Sequence, residues 1–134
     1  MRYINRKRFK KKCLQGIVNF PYNTKFDCLN NGMITYNNLP VCFNTSQDAL
    51  DYFCRDDDGN GIVRGKLIED ILSITTNKKD KNVYNKIWEY LWDNEEIRKK
   101  FKRSDHDDVW LWDFKFYNAS IQELQNLLYK IKTI

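Results

Sequence analysis

The sequence predicts an α+β fold, in which a small antiparallel sheet (a meander over 24–43 plus a strand over 109–117) packs against several helices. Three observations carry that prediction. Short apolar runs between positions 24 and 43 are separated by Asn30-Asn31-Gly32 and by Asn37-Asn38, which suit the positive φ angles of hairpin turns. From about position 45 onward, apolar residues recur at three- and four-residue intervals behind Ser, Thr or Asp, the spacing and capping of helices. Between positions 109 and 117 the apolar period changes to two.

The first element reads as a helix over 5–18, with Asn5 as its cap and Phe9, Cys13 and Ile17 on one face at i, i+4 and i+8. Its other face is almost wholly cationic, and Gly16 and Pro21 bound it. The meander follows as strands near 25–29, 33–36 and 39–43, with Pro40 placing the third at an edge. Thr45 with Asp48 opens a helix whose apolar face pairs Ala49 with Phe53 and Leu50 with Cys54. After the stretch 56–61, Leu67/Ile71 and Ile68/Leu72 mark a second helix. Asp80 caps a third, whose face is Tyr84, Ile87, Trp88, Leu91 and Trp92. Asp93 with Glu96 opens a short helix that runs toward Lys102. The strand over 109–117 places Trp110, Trp112, Phe114 and Phe116 on one side. Ser120-Ile121-Gln122-Glu123 is then a capping box for a last helix with Ile121, Leu124, Leu128 and Ile131 inward.

A chain of 134 residues, 42% hydrophobic and 15% aromatic, is long enough to bury a core without disulfides or metals, and one domain over 1–134 is expected, with a basic N-terminal arm or helix over 1–18. No repeat, low-complexity tract or long linker divides it. The four cysteines (Cys13, Cys28, Cys42, Cys54) are widely spaced, without a C-x-x-C pair. No secretory leader is read and no apolar run approaches the ~18 residues of a membrane span, so buried reduced thiols in a bacterial cytoplasm are the expectation, without membrane attachment. Heavy use of Asn, Lys, Ile and Tyr, with alanine only at Ala49 and Ala119, fits A/T-rich codons and hence a phage or mobile element of a low-GC host.

Charge placement bears most directly on function. Arg2, Arg6, Lys7, Arg8, Lys10, Lys11 and Lys12 form an acid-free arm. The remaining residues hold 16 basic against 18 acidic side chains, 7 of the 23 basic residues having been set aside. A second cluster, Arg98, Lys99, Lys100, Lys102 and Arg103, brings the two groups to 12 of 23. Local positive charge on a near-neutral body is the electrostatic footprint of a polyanion binder. The plainer reading of the second cluster is a set of cations favoured by a helix C-terminus.

Asp56, Asp58 and Asn60, with Gly61 at a sharp turn and Val63 at an apolar position, resemble the first half of an EF-hand calcium loop. The resemblance implies flanking helices and a weak metal site at Asp56, Asp58 and Asn60. Leu67, however, stands where the family has its bidentate glutamate, and Arg64 replaces the ninth-position ligand. The plainer reading is an Asp/Gly turn between helices, with Gly59 or Gly61 in the left-handed region. A second acidic stretch, Ser104-Asp105-His106-Asp107-Asp108, surrounds the single histidine. Its acids are read as caps and charge balance for their neighbours. The tryptophan and phenylalanine spacing is that of core burial rather than of base stacking. Phosphate-binding loops, dinucleotide fingerprints, nucleophile elbows and zinc-protease helices are missing from the sequence, so no cofactor and no catalytic residue is assigned.

The expected function is that of a small non-enzymatic protein that binds nucleic acid or a nucleoprotein complex, with a protein partner allowed, through the two basic clusters. Within that class, an inhibitor of host defence nuclease machinery (anti-CRISPR-like in size and in lacking catalytic signatures) is the sharper expectation. The alternatives are a metal-dependent nuclease or phosphatase using Asp56, Asp58, Asp105, His106 and Asp107, or a weak calcium-binding helix–loop–helix module.

Overall fold

The computed structural model describes residues 2–5, 9–13, 16–20, 25–28, 34–36, 39–40, 53–102, 110, 112 and 114–134. The fold is α+β, with seven strands and five helices among the described residues. The chain divides into two compact units, Met1–Lys66 and Leu67–Ile134.

In the first unit β1 (Arg2–Asn5), β4 (Lys25–Cys28), β5 (Ile34–Tyr36), β6 (Leu39–Pro40) and β7 (Phe53–Arg55) form an antiparallel sheet in the order β6-β5-β4-β1-β7. The meander lies where the turn signals put it, with Asp27↔Thr35 and Tyr36↔Leu39 in register. Pro40 is on the edge strand, the place in a sheet that best tolerates a residue without an N–H. Tyr3 and Ile4 are both buried, as are Cys54, opposite Ile4, and its neighbour Phe53, opposite Asn5. Consecutive buried residues mean strands covered on both faces. Gly61 supplies close cover on one side: a Cβ there would meet Ile4 Cγ2 at 2.6 Å. Cys54 is buried, and its Sγ donates to the Gly61 carbonyl at 3.3 Å.

The N-terminal helix expected over 5–18 is overturned. After β1, β2 (Phe9–Cys13) and β3 (Gly16–Phe20) pair as a separate two-stranded antiparallel ribbon, from Phe9↔Phe20 to Cys13↔Gly16. The misreading has a simple cause. An interval of four residues satisfies both the helical and the strand period, so Phe9 and Cys13 could not separate the two, and Ile17, across the turn, falls on the other face of the ribbon. A helix would also have stacked successive cations one turn apart, whereas strand positions alternate between faces. The helix expected from Thr45 ends instead as β7 over 53–55, and its earlier part, 45–52, lies outside the described residues. β7 takes the place in the sheet that the sequence gives to the strand over 109–117.

Helix α1 (Gly61–Thr75) begins immediately after the acidic loop, six residues before Leu67, where its apolar spacing first becomes visible. In the second unit, Asp80 caps α2 (Lys81–Asp93) by accepting from the Asn82 and Val83 amides. Ile87 and Leu91 are its buried residues, and Trp88 Nε1 donates to the Thr75 carbonyl at 3.0 Å. Asn94, one residue later than expected, caps α3 (Glu95–Phe101). The 109–117 strand is overturned as well. Trp112 makes only an isolated bridge with Lys102, and Phe114–Tyr117 is a short helix, α4. Trp112 and Phe116, four positions apart, stack at 4.2 Å between ring centroids, a separation one helical turn serves as well as two strand steps. Helix α5 (Ile121–Lys132) opens on the Ser120/Glu123 capping box and buries Leu124, Leu127, Leu128 and Ile131.

Candidate nucleic-acid interface

Of the seven N-terminal cations, the structure describes the backbone of four. Lys10, Lys11 and Lys12 are consecutive positions of β2, opposite Asn19, Val18 and Ile17. Arg2 is separated from them: it belongs to β1 and lies in register with Asp27, a position where an opposite charge is available. Arg6, Lys7 and Arg8 lie outside the described residues. No acidic residue precedes Asp27, so neither strand of the ribbon carries a carboxylate that could pair with its lysines.

The second cluster is engaged locally. Glu95 and Glu96 occupy the first turn of α3 and Arg98, Lys99 and Lys100 the last, the arrangement the helix dipole favours. Lys99 Nζ reaches Glu95 at 3.1 Å one turn away, which holds the fully exposed Glu95 carboxyl below its ordinary range. Lys100 Nζ lies 3.5 Å from Glu123. The shallow groove beside it is lined by Glu96 and Glu123 as well as by Lys100 and Lys130, a mixed rather than a cationic surface. Lys102 is buried, with Nζ 4.1 Å from the centre of the Trp92 ring, and its backbone N–H closes the helix on the Arg98 carbonyl. Arg98 is half-buried, and Arg103 lies outside the described residues. Helix termination and local pairing account for the placement of Lys99, Lys100 and Lys102 without any phosphate ligand.

The acidic loop joins a strand to a helix rather than two helices, so the flanking geometry implied by the calcium-loop resemblance is not met. Asp56 Oδ1 accepts from the Gly61 amide at 2.8 Å, and Gly59, at φ 76°, makes the left-handed turn. Asp58 is saturated by protein donors: Oδ1 accepts from Arg64 Nη1 at 3.1 Å and from the Asn60 amide at 3.0 Å. Its Oδ2 accepts from Arg64 Nη2 and, at 3.0 Å, from Arg55 Nη2. The Arg64 hydrogen bonds above all, with the Asn60 amide and Arg55 assisting, hold the Asp58 carboxyl well below the usual carboxylate range against an opposing desolvation. Arg64 is fully buried and also donates to the Arg55 carbonyl. Its guanidinium, at the ninth position of the resemblance, supplies the positive charge that a calcium ion would otherwise bring. Asn60 is exposed and contributes only backbone groups to this network. Among the described residues no three His, Cys, Asp or Glu side chains are grouped to hold a metal ion. Asp105, His106 and Asp107 lie outside them.

The aromatic side chains of the second unit pack on one another. Trp110 meets Trp88, Trp92 and Trp112 edge to face at 5.5–5.7 Å, and Phe101 and Phe116 continue the cluster. Two features escaped the sequence reading. Arg64 as an internal cation could have been anticipated from its spacing to Asp58, one and a half helical turns from an acid-rich loop. The ribbon could have been anticipated from the acid-free stretch 1–26 combined with Phe9, Ile17, Val18 and Phe20. No helix among the described residues is long and apolar enough to cross a membrane. No family model, curated protein or solved structure matches this chain.

Proposed function

We propose that the chain is a non-enzymatic module that grips nucleic acid, or a nucleoprotein complex, through its N-terminal unit. One observation carries this reading. Residues 1–66 hold 11 basic against 6 acidic side chains, the whole net charge of +5, whereas residues 67–134 hold 12 of each. The positive potential therefore belongs to one unit, and within it to the acid-free stretch before Asp27. Such a surface attracts polyphosphate over the ~8 Å reach of physiological screening and gains affinity by releasing condensed counterions.

A host defence nuclease that carries guide RNA or target DNA is a partner of this chemistry. Inhibition of such machinery by a phage or mobile-element protein is the finer form of the same proposal. A metal-dependent nuclease or phosphatase has less support, because Asp56 Oδ1 accepts from an amide and both oxygens of Asp58 accept from Arg64.

Fluorescence anisotropy with a labelled polynucleotide over a salt series tests the reading. Affinity is expected to fall linearly on a log–log plot, by about 0.9 per phosphate neutralised for duplex DNA. Replacing Arg6, Lys7, Arg8, Lys10, Lys11 and Lys12 together by alanine is expected to cost at least 100-fold. An unchanged affinity in that variant refutes the proposal.

A further inference from the structure

Resting on that reading, we propose that the β2–β3 ribbon is the part of the molecule that enters its ligand, and that the ligand is the major groove of duplex DNA. A two-stranded antiparallel ribbon fits that groove, which is ~12 Å wide and accepts either a helix or a pair of strands. Five residues of strand span about 17 Å, enough to follow several base pairs. The register divides the ribbon into two unlike faces. Lys10, Lys12, Ile17 and Asn19 occupy one set of alternate positions, and Phe9, Lys11, Cys13, Gly16, Val18 and Phe20 the other.

Each residue type on the first face has a use in a DNA groove. Lysines contact the flanking phosphates or guanine edges, asparagine pairs with adenine, and an aliphatic group packs on the thymine methyl. The second face is predominantly apolar, with a single cation. The ribbon also contains no carboxylate, so its lysines have no acidic cross-strand neighbour of the kind that Arg2 has in Asp27. Duplex RNA is disfavoured because its major groove is deep and too narrow for side chains to read. Single strands are disfavoured because they require aromatic platforms, and Phe9 and Phe20 occupy the face opposite Lys10 and Lys12.

The test compares a labelled DNA duplex of about two turns with the same sequence as a single strand and as duplex RNA. The unaltered protein is expected to bind the DNA duplex at least tenfold more tightly than either. Lys10→Ala/Lys12→Ala is expected to weaken duplex binding by at least tenfold and to lower the salt slope by about two, while Lys10→Arg/Lys12→Arg restores both. Lys25→Ala/Lys66→Ala removes the same charge from the same unit outside the ribbon, and is expected to stay within about threefold of the original. Circular dichroism identical to the unaltered protein checks that each variant is folded. A loss from the Lys25/Lys66 control as large as that from the ribbon variant, a Lys11→Ala loss exceeding that of Lys10→Ala, or a preference for single strands or RNA overturns the groove assignment and leaves the wider nucleic-acid reading standing. Failure to bind any nucleic acid, or binding to anionic vesicles alone, overturns both.

Discussion

Arg64 carries its charge with no exposed side-chain surface, a state that is stable only while its partners hold it. Asp58, itself about one-third exposed, is the carboxylate that does so. Asp58→Asn keeps the shape but removes the charge, and is expected to destabilise the fold by about 2 kcal/mol at neutral pH, read from urea unfolding. The pH dependence has a definite sign. The folded pKa of Asp58 lies below its unfolded value of about 3.9, so its contribution is fully present above that value and is lost as pH falls toward the lowered one. Stability of the unaltered protein is therefore expected to fall more steeply between about pH 5 and pH 2 than that of Asp58→Asn. Parallel curves would show that the buried arginine is satisfied elsewhere. The two glycines of the loop differ in kind. Gly59 has open space but a φ of 76°, so Gly59→Ala is expected to cost about 1–2 kcal/mol through backbone strain alone. At Gly61 the backbone is ordinary and the space is filled: a Cβ would lie 2.5 Å from Asp56 Oδ1. Gly61→Ala must displace both the carboxylate that accepts its own amide and Ile4 beneath it, and is expected to lower the unfolding midpoint at least as far.

At the scale of elements, local end signals were more legible than interior periodicity. The Ser120 hydroxyl accepts from the Glu123 amide at 3.1 Å, and Ser120→Ala is expected to cost about 1 kcal/mol in chemical denaturation, with no change in the cooperativity slope. Asp80 and Pro40 likewise act where the sequence placed them, because caps and edge positions depend on a few neighbouring backbone groups. Elements whose evidence was a spacing of four failed, because 9 and 13, or 112 and 116, serve both periods. The sheet neighbours of β1 were not legible at all. β1 pairs with β4 some 20 residues on and with β7 some 50 residues on, and no local signal in residues 2–5 encodes either partner. The candidate site was legible as charge but not as geometry. The residues of the second cluster were identified correctly as basic, yet Glu95, Glu123 and Trp92, which engage them, are nearby only once α2, α3 and α5 are folded.

For the molecule as a whole, the identity of the cations fixes how binding must depend on solution conditions. The basic residues of 1–66 are all lysines and arginines, whose ordinary pKa values are near 10.4 and above 12, and the chain has one histidine, His106. Over the interval from about pH 5.5 to 7.5 no side chain of residues 1–66 is of a type whose ordinary pKa falls within it; the four cysteines, near 8.5, come next. The Asp58 carboxyl, held well below the usual carboxylate range by Arg64, keeps its charge throughout that interval. Nucleic-acid affinity at constant ionic strength is therefore expected to vary by less than about threefold across that interval, while a change from 50 to 200 mM salt at fixed pH costs on the order of 10³-fold if about six phosphates are contacted. The two measurements are independent, since screening acts on the phosphate contacts and pH on titration. A binding curve that collapses with a midpoint near 6.5 would transfer the interaction to His106 and its acidic neighbours in the other unit. A flat pH profile joined to a steep salt slope would assign it to the lysines and arginines before Asp27.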